Sequence, residues 1–176
     1  MEYQTNHNPL ICLKNMGFSL SWSLIDIGLK KSELYGFVFD TNILIDFLKM
    51  VVGETSSYEN EIIELICCEQ DALIVKKKVQ ILSKTEMDHT NLNLRKWRAL
   101  LLHNKLNDLQ GYHLVNLYEF WLVFDDVTPL PPFYPHDAVS FLRQNENDAI
   151  KKHIEWLNNE VQDIVFIDKK NNLSPL

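Results

Sequence analysis

Four acids stand at the ends of predicted elements: Asp40, Glu86 and Asp168 just past apolar runs read as strands, and Asp148 at the amino end of a helix. Asp40 closes Phe37-Val38-Phe39 and precedes Thr41-Asn42-Ile43-Leu44; Glu86 follows Ile81-Leu82-Ser83-Lys84-Thr85. Asp148 follows Asn145-Glu146-Asn147, and Asp168 ends Ile164-Val165-Phe166-Ile167. A carboxylate adds nothing to a core and is costly to desolvate unless it is paired or holds a cation. Four gathered at one edge would repel one another, and a hard divalent cation, Mg²⁺ or Mn²⁺, would neutralise them through oxygen ligands. Such a site would grip a phosphodiester and lower the pKa of a metal-bound water. Each acid also has a plainer use. Asp40 or Thr41 could cap the following helix, and Glu86 could favour a helix dipole. Asp148 could complete a capping box with Asn145, and Asp168 could open a polar turn.

The elements that would position these acids follow from periodicity. Gly36–Phe39 is apolar after its glycine, as in a strand covered on both faces, and a helix follows with Ile43, Leu44, Phe47, Leu48 and Val51 on one side. A helix around Ile62, Ile63, Leu65 and Ile66 leads to a second strand, Lys78–Leu82. A third helix opens at Ser83-Lys84-Thr85-Glu86 and runs towards Leu102, with Leu94, Trp97 and Leu101 inward. Residues 111–128 fit strand or helix, and Thr128-Pro129-Leu130-Pro131-Pro132 marks a loop. Pro135-His136-Asp137 starts a short helix, and Asn145 caps a longer one with Ile150, Ile154 and Leu157 on a stripe. A final strand is read at Asp163–Ile167. Alternating strands and helices predict an α/β fold, a three-layer α/β/α sandwich with a mostly parallel central sheet and the acids at its carboxyl edge. Residues 1–35 read as an N-terminal extension and 36–176 as the domain; Phe18, Leu20, Trp22, Leu24, Ile27 and Leu29 in the extension would pack on the domain or on a partner.

The order of these segments resembles the PIN-domain nucleases. Phe37-Val38-Phe39-Asp40-Thr41-Asn42 looks like their opening Asp-x-Asn motif, Ile81-Leu82-Ser83-Lys84-Thr85-Glu86 like the second, Asn147-Asp148-Ala149-Ile150 like the third, and Val165-Phe166-Ile167-Asp168 like the last. The resemblance implies that Asp40, Glu86, Asp148 and Asp168 are catalytic residues that ligate Mg²⁺ or Mn²⁺, supported by Asn42 and Ser83. It also implies a ribonuclease, RNA being expected over DNA as substrate, with a toxin-type role, a protein inhibitor (antitoxin) and a homodimer as further expectations. The chain departs from the family pattern in its 35 residues before the first motif and in the longer stretch between Glu86 and Asp148.

The bulk numbers bound these expectations. A net charge of −7 over 176 residues argues against a domain held to nucleic acid by a general basic face, though not against a nucleic-acid enzyme with locally placed cations. Lys76-Lys77-Lys78, Arg95-Lys96-Trp97-Arg98 and Lys169-Lys170 are local basic runs that would either contact RNA or form solvated faces. Cys12, Cys67 and Cys68 suggest no disulfide framework and fit the reducing cytoplasm. The first eight residues lack a basic leader, and no segment is long and apolar enough to span a bilayer. Neither a Walker loop nor a Gly-x-Ser-x-Gly elbow occurs. Two rival functions share the same residues: a catalytically inactive PIN-like RNA-binding or assembly module, and an aspartyl-phosphate phosphohydrolase. The latter wants an Asp two residues after Asp40, where this chain has Asn42.

Overall fold

A computed structural model describes residues 8–54, 57–108 and 113–171. The described residues form nine helices and no strand. In chain order these are α1 (Pro9–Asn15), α2 (Trp22–Lys31), α3 (Thr41–Val51), α4 (Glu59–Cys67), α5 (Ala72–Ser83), α6 (Thr90–Asn107), α7 (His113–Val123), α8 (Ala138–Leu142) and α9 (Glu146–Lys170). The leader reading rests on residues of which all but the eighth lie outside the described set, and the first two residues of the 111–128 stretch lie outside it too.

The α/β expectation is therefore corrected, and each expected strand has its own reason for being something else. Phe37 and Phe39 do point inward with Val38 outward, as in a strand: both rings lie against Trp97, at 4.8 and 5.5 Å between centroids, while Val38 is 76% exposed. The backbone there pairs with no neighbouring strand; it is a short irregular run feeding α3. Lys78–Leu82 belongs to α5, where Val75, Val79 and the half-buried Leu82 recur at helical spacing. Asp71 starts that helix by accepting from Leu73 N and Ile74 N. Asp163–Ile167 is the far part of α9, whose buried residues Ala149, His153, Leu157, Glu160, Ile164 and Asp168 fall on one stripe.

α6 is the axis of the molecule. Every residue from Leu92 to Leu100 is buried, and the helix touches α1, α2, α7 and α9. Among these residues are Arg95, Lys96 and Arg98. α2 comes close to α6 at Gly28, where an added Cβ would lie 2.4 Å from Trp97 and 2.9 Å from Phe39. That proximity lets the Trp97 indole N–H donate to Leu24 O at 2.9 Å, which satisfies a buried donor and an acceptor together. Residues 9–31 thus form two helices, and Leu10, Leu13, Phe18, Leu20, Trp22, Leu24 and Ile25 share the core with the rest of the domain. Among the described residues no helix is long and apolar enough to cross a membrane.

Candidate functional site

The structure gives each expected site residue a separate task. Asp40 is exposed and caps α3, accepting from Ile43 N at 2.9 Å. Asn42 is exposed in the first turn of α3. Asp148 is exposed in the first turn of α9, its N–H held by the Asn145 side chain at 3.2 Å. Ser83 donates to Gln80 O at 3.0 Å and reaches Asp26 at 3.3 Å. Glu86 accepts from Trp22 N at 2.8 Å and Ser23 N at 2.7 Å, so it caps α2 from a distant part of the chain. Asp168 is buried, accepts from Ser19 N at 2.8 Å and lies 2.8 Å from Lys96 Nζ.

Glu86 and Asp168 are therefore brought together around Lys96, the ammonium group of which also donates to Ser19 O at 2.8 Å. Burial pushes Lys96 below its usual pKa, against the pull of Asp168 and Glu86. The two acids answer a buried lysine and a helix terminus. Asp40 and Asp148 take no part in that cluster, and among the described residues no group of three or more His, Cys, Asp or Glu is placed to hold a metal ion. Mg²⁺- or Mn²⁺-dependent cleavage thus draws no support from the arrangement of these acids.

On the other side of α6 the remaining basic residues are also consumed internally. Arg95 holds Glu160 through two hydrogen bonds of 2.8 Å and reaches Asp163 at 2.6 Å. Arg98 donates to Glu160 at 2.7 Å, to Pro129 O at 2.9 Å and to Val127 O. Burial works to lower both guanidinium pKa values. Glu160 and Asp163 outweigh it at Arg95, which sits above its usual value, and burial prevails at Arg98. Two cations sharing one buried carboxylate is a bracing arrangement that fixes the approach of α9 and of the loop after α7.

The unsatisfied chemistry lies on α5. A groove of about 360 Å³ between α2 and α5 is lined by Asp26, Leu29, Lys30, Leu73, Lys76, Lys77 and Gln80. Asp26 is taken by Lys30 at 2.6 Å and by Ser83. Lys76 and Lys77 are exposed and have no acidic partner among the described residues. Leu73, on the lip, is 77% exposed, and Ile81 further along the same helix is 55% exposed. The groove thus combines two free cations with an apolar lip, and the sign of it in the sequence is the lysine run that directly follows Ala72-Leu73-Ile74-Val75.

No curated protein matches the chain, and no solved structure matches it. The PIN resemblance is corrected on two counts: those nucleases are expected to have a parallel sheet, which the described residues lack, and the family model that matches is a different one. The matching model, described as an uncharacterized protein conserved in bacteria (DUF2247), spans residues 11–161, and the chain belongs to that bacterial family.

Proposed function

We propose that this chain is a helical assembly module that captures an acidic, partly apolar segment of another protein in the groove between α2 and α5. The observation that carries the reading is the pairing of unpartnered Lys76 and Lys77 with the exposed Leu73 at the mouth of a concave site. Burying a leucine of that exposure is worth roughly 1.5–3 kcal/mol, and the lysines would select the sign of what lands beside it. RNA fits less well. Two free lysines neutralise few phosphates, the groove has leucines where a backbone-tracking surface would have cations, and the net charge of −7 repels a polyanion at long range. The three free cysteines support a reducing location such as the cytoplasm.

The test is fluorescence anisotropy with a labelled peptide of alternating Glu and Leu, a Lys/Leu counterpart and single-stranded RNA. The wild type should bind the acidic peptide, and Lys76→Glu/Lys77→Glu should weaken that binding at least tenfold. Preference for RNA, lost in the same variant, would overturn the reading in favour of an RNA-binding module. RNA cleavage that requires Mn²⁺ and disappears in Asp40→Asn would overturn it in favour of a nuclease.

A further inference from the structure

A second concave site, sharing no residue with the α2–α5 groove, lies on α9. Its volume is about 440 Å³, and its lining is Pro132, Phe133, Lys152, Glu155, Trp156 and Asn159. The last four recur at one face of a helix, three and four residues apart. Pro132 and Phe133 form the opposite wall. The size is that of a small-molecule site, and the walls are two aromatic rings and a proline.

Trp156 is held rigidly from behind. The fully buried Arg98 guanidinium sits 4.9 Å from its ring centroid, and the Trp121 ring packs edge-on at 5.3 Å and 78°. Only the outer part of this half-buried indole is left for the cleft. Arg98 and Trp121 already cover part of this indole, so what it adds to the cleft is a limited, largely apolar flat wall. A neutral flat ring suits such a wall, with Phe133 beside it. The rim then decides what the edge of that ring must carry. Glu155 can only accept hydrogen bonds, Lys152 can only donate, and the Asn159 amide does both. Glu155 has one loose ion pair among the described residues, with Lys151 at 3.9 Å.

We propose that this cleft binds a nucleobase, stacked on Trp156 beside Phe133, with its polar edge read by Glu155 and Asn159. A neutral planar ring carrying both N–H donors and lone-pair acceptors on one edge is what the three rim groups and the aromatic wall select together. In a nucleotide, Lys152 would meet the phosphate; in a free nucleoside it would remain in solvent.

The experiment is ligand titration of the full chain, followed by the indole N–H resonance of Trp156. The ligands are adenosine, uridine, AMP and indole. Adenosine should shift that resonance with a dissociation constant on the order of 1 mM, as one stacking contact and a few edge hydrogen bonds allow. Glu155→Gln and Asn159→Ala, both at exposed positions, should each weaken adenosine about threefold to tenfold with an unchanged melting temperature. AMP binding more tightly than adenosine, with the difference erased in Lys152→Gln, identifies the nucleotide as the preferred source of the base. Indole binding as tightly as adenosine, insensitivity to both rim variants, or no shift with any ligand would each overturn the proposal.

Discussion

Two short basic runs have opposite fates in this molecule. Arg95, Lys96 and Arg98 lie on the central helix and are buried, and each is answered by an acid from α9. Lys76 and Lys77 lie on α5, are exposed, and are answered by nothing among the described residues. The difference does not lie in their own composition. It lies in α9, which carries Glu160 and Asp168 on the same stripe as its apolar residues and presents them to α6. α5 buries Val75 and Val79 and leaves Lys76 and Lys77 in water. A basic run becomes core when another helix brings acids at matching spacing; on α5 only Lys78 is answered among the described residues, by Glu64 of α4, and Lys76 and Lys77 are left as a candidate contact surface.

That contrast breaks most readily at Glu160. Glu160→Gln leaves Arg98 buried without a carboxylate and Arg95 dependent on the half-exposed Asp163. A loss of about 3–5 kcal/mol is expected, which for a chain of this size lowers the melting temperature by roughly 6–20 °C. Asp168→Asn should cost less, because Ser19 O and Glu86 still face Lys96. If both variants melt within about 2 °C of the wild type, the segment is not held by its acids and the contrast fails.

A graded loss is expected with pH through another polar member of the α9 stripe. His153 is buried, its Nε2 accepts from the Trp121 indole N–H at 2.8 Å, and its Nδ1 donates to Ala149 O at 2.6 Å. Burial pushes its pKa below the usual histidine value, only partly offset by the Ala149 carbonyl. The unfolded chain takes up a proton as pH falls through about 6.5, while the folded chain resists it. This contribution is therefore intact above that pH and declines below it. Denaturant melts between pH 7.5 and 5 should show the decline, and His153→Gln should flatten it.

The smallest effect sharpens the other side of the comparison. Lys76→Glu/Lys77→Glu should change stability by no more than about 0.5 kcal/mol, read from the same melts, even as it removes acidic-peptide binding. A large loss of stability would mean that α5 uses these lysines internally.

Local capping chemistry was readable in advance, and the tertiary use of polar residues was not. The Asp40 cap, the apolar side of α3, the Asn145 start of α9 and the Asp137 start of α8 all follow from residues a few positions apart. The sequence predicts only one inward side for α6, with Leu94, Trp97 and Leu101; Leu92–Leu100 is in fact buried on every side, so Arg95, Lys96 and Arg98 read as surface. α9 looked like a helix followed by a strand because His153, Glu160 and Asp168 interrupt an apolar-only stripe, and their acceptability depends on Trp121, Arg95 and Lys96 elsewhere in the chain. For the same reason Glu86 and Asp168 read as metal ligands in the sequence, where their partners are not visible. Each does sit opposite positive charge, but the charge comes from a lysine and from backbone N–H groups.

The bond from Ser19 N to Asp168 has a consequence for how the molecule comes into being. It joins positions 149 residues apart, and Lys96 closes the triangle from the middle of the chain. This knot cannot be tied until the last turn of α9 has been made, so a growing chain that already contains Lys96 holds this buried-type lysine without its acid until α9 is complete. Assembly is then expected to wait on late, long-range closure. Joining the two ends by a short linker and opening the chain in an exposed turn elsewhere would bring the partners of this knot near each other from the start.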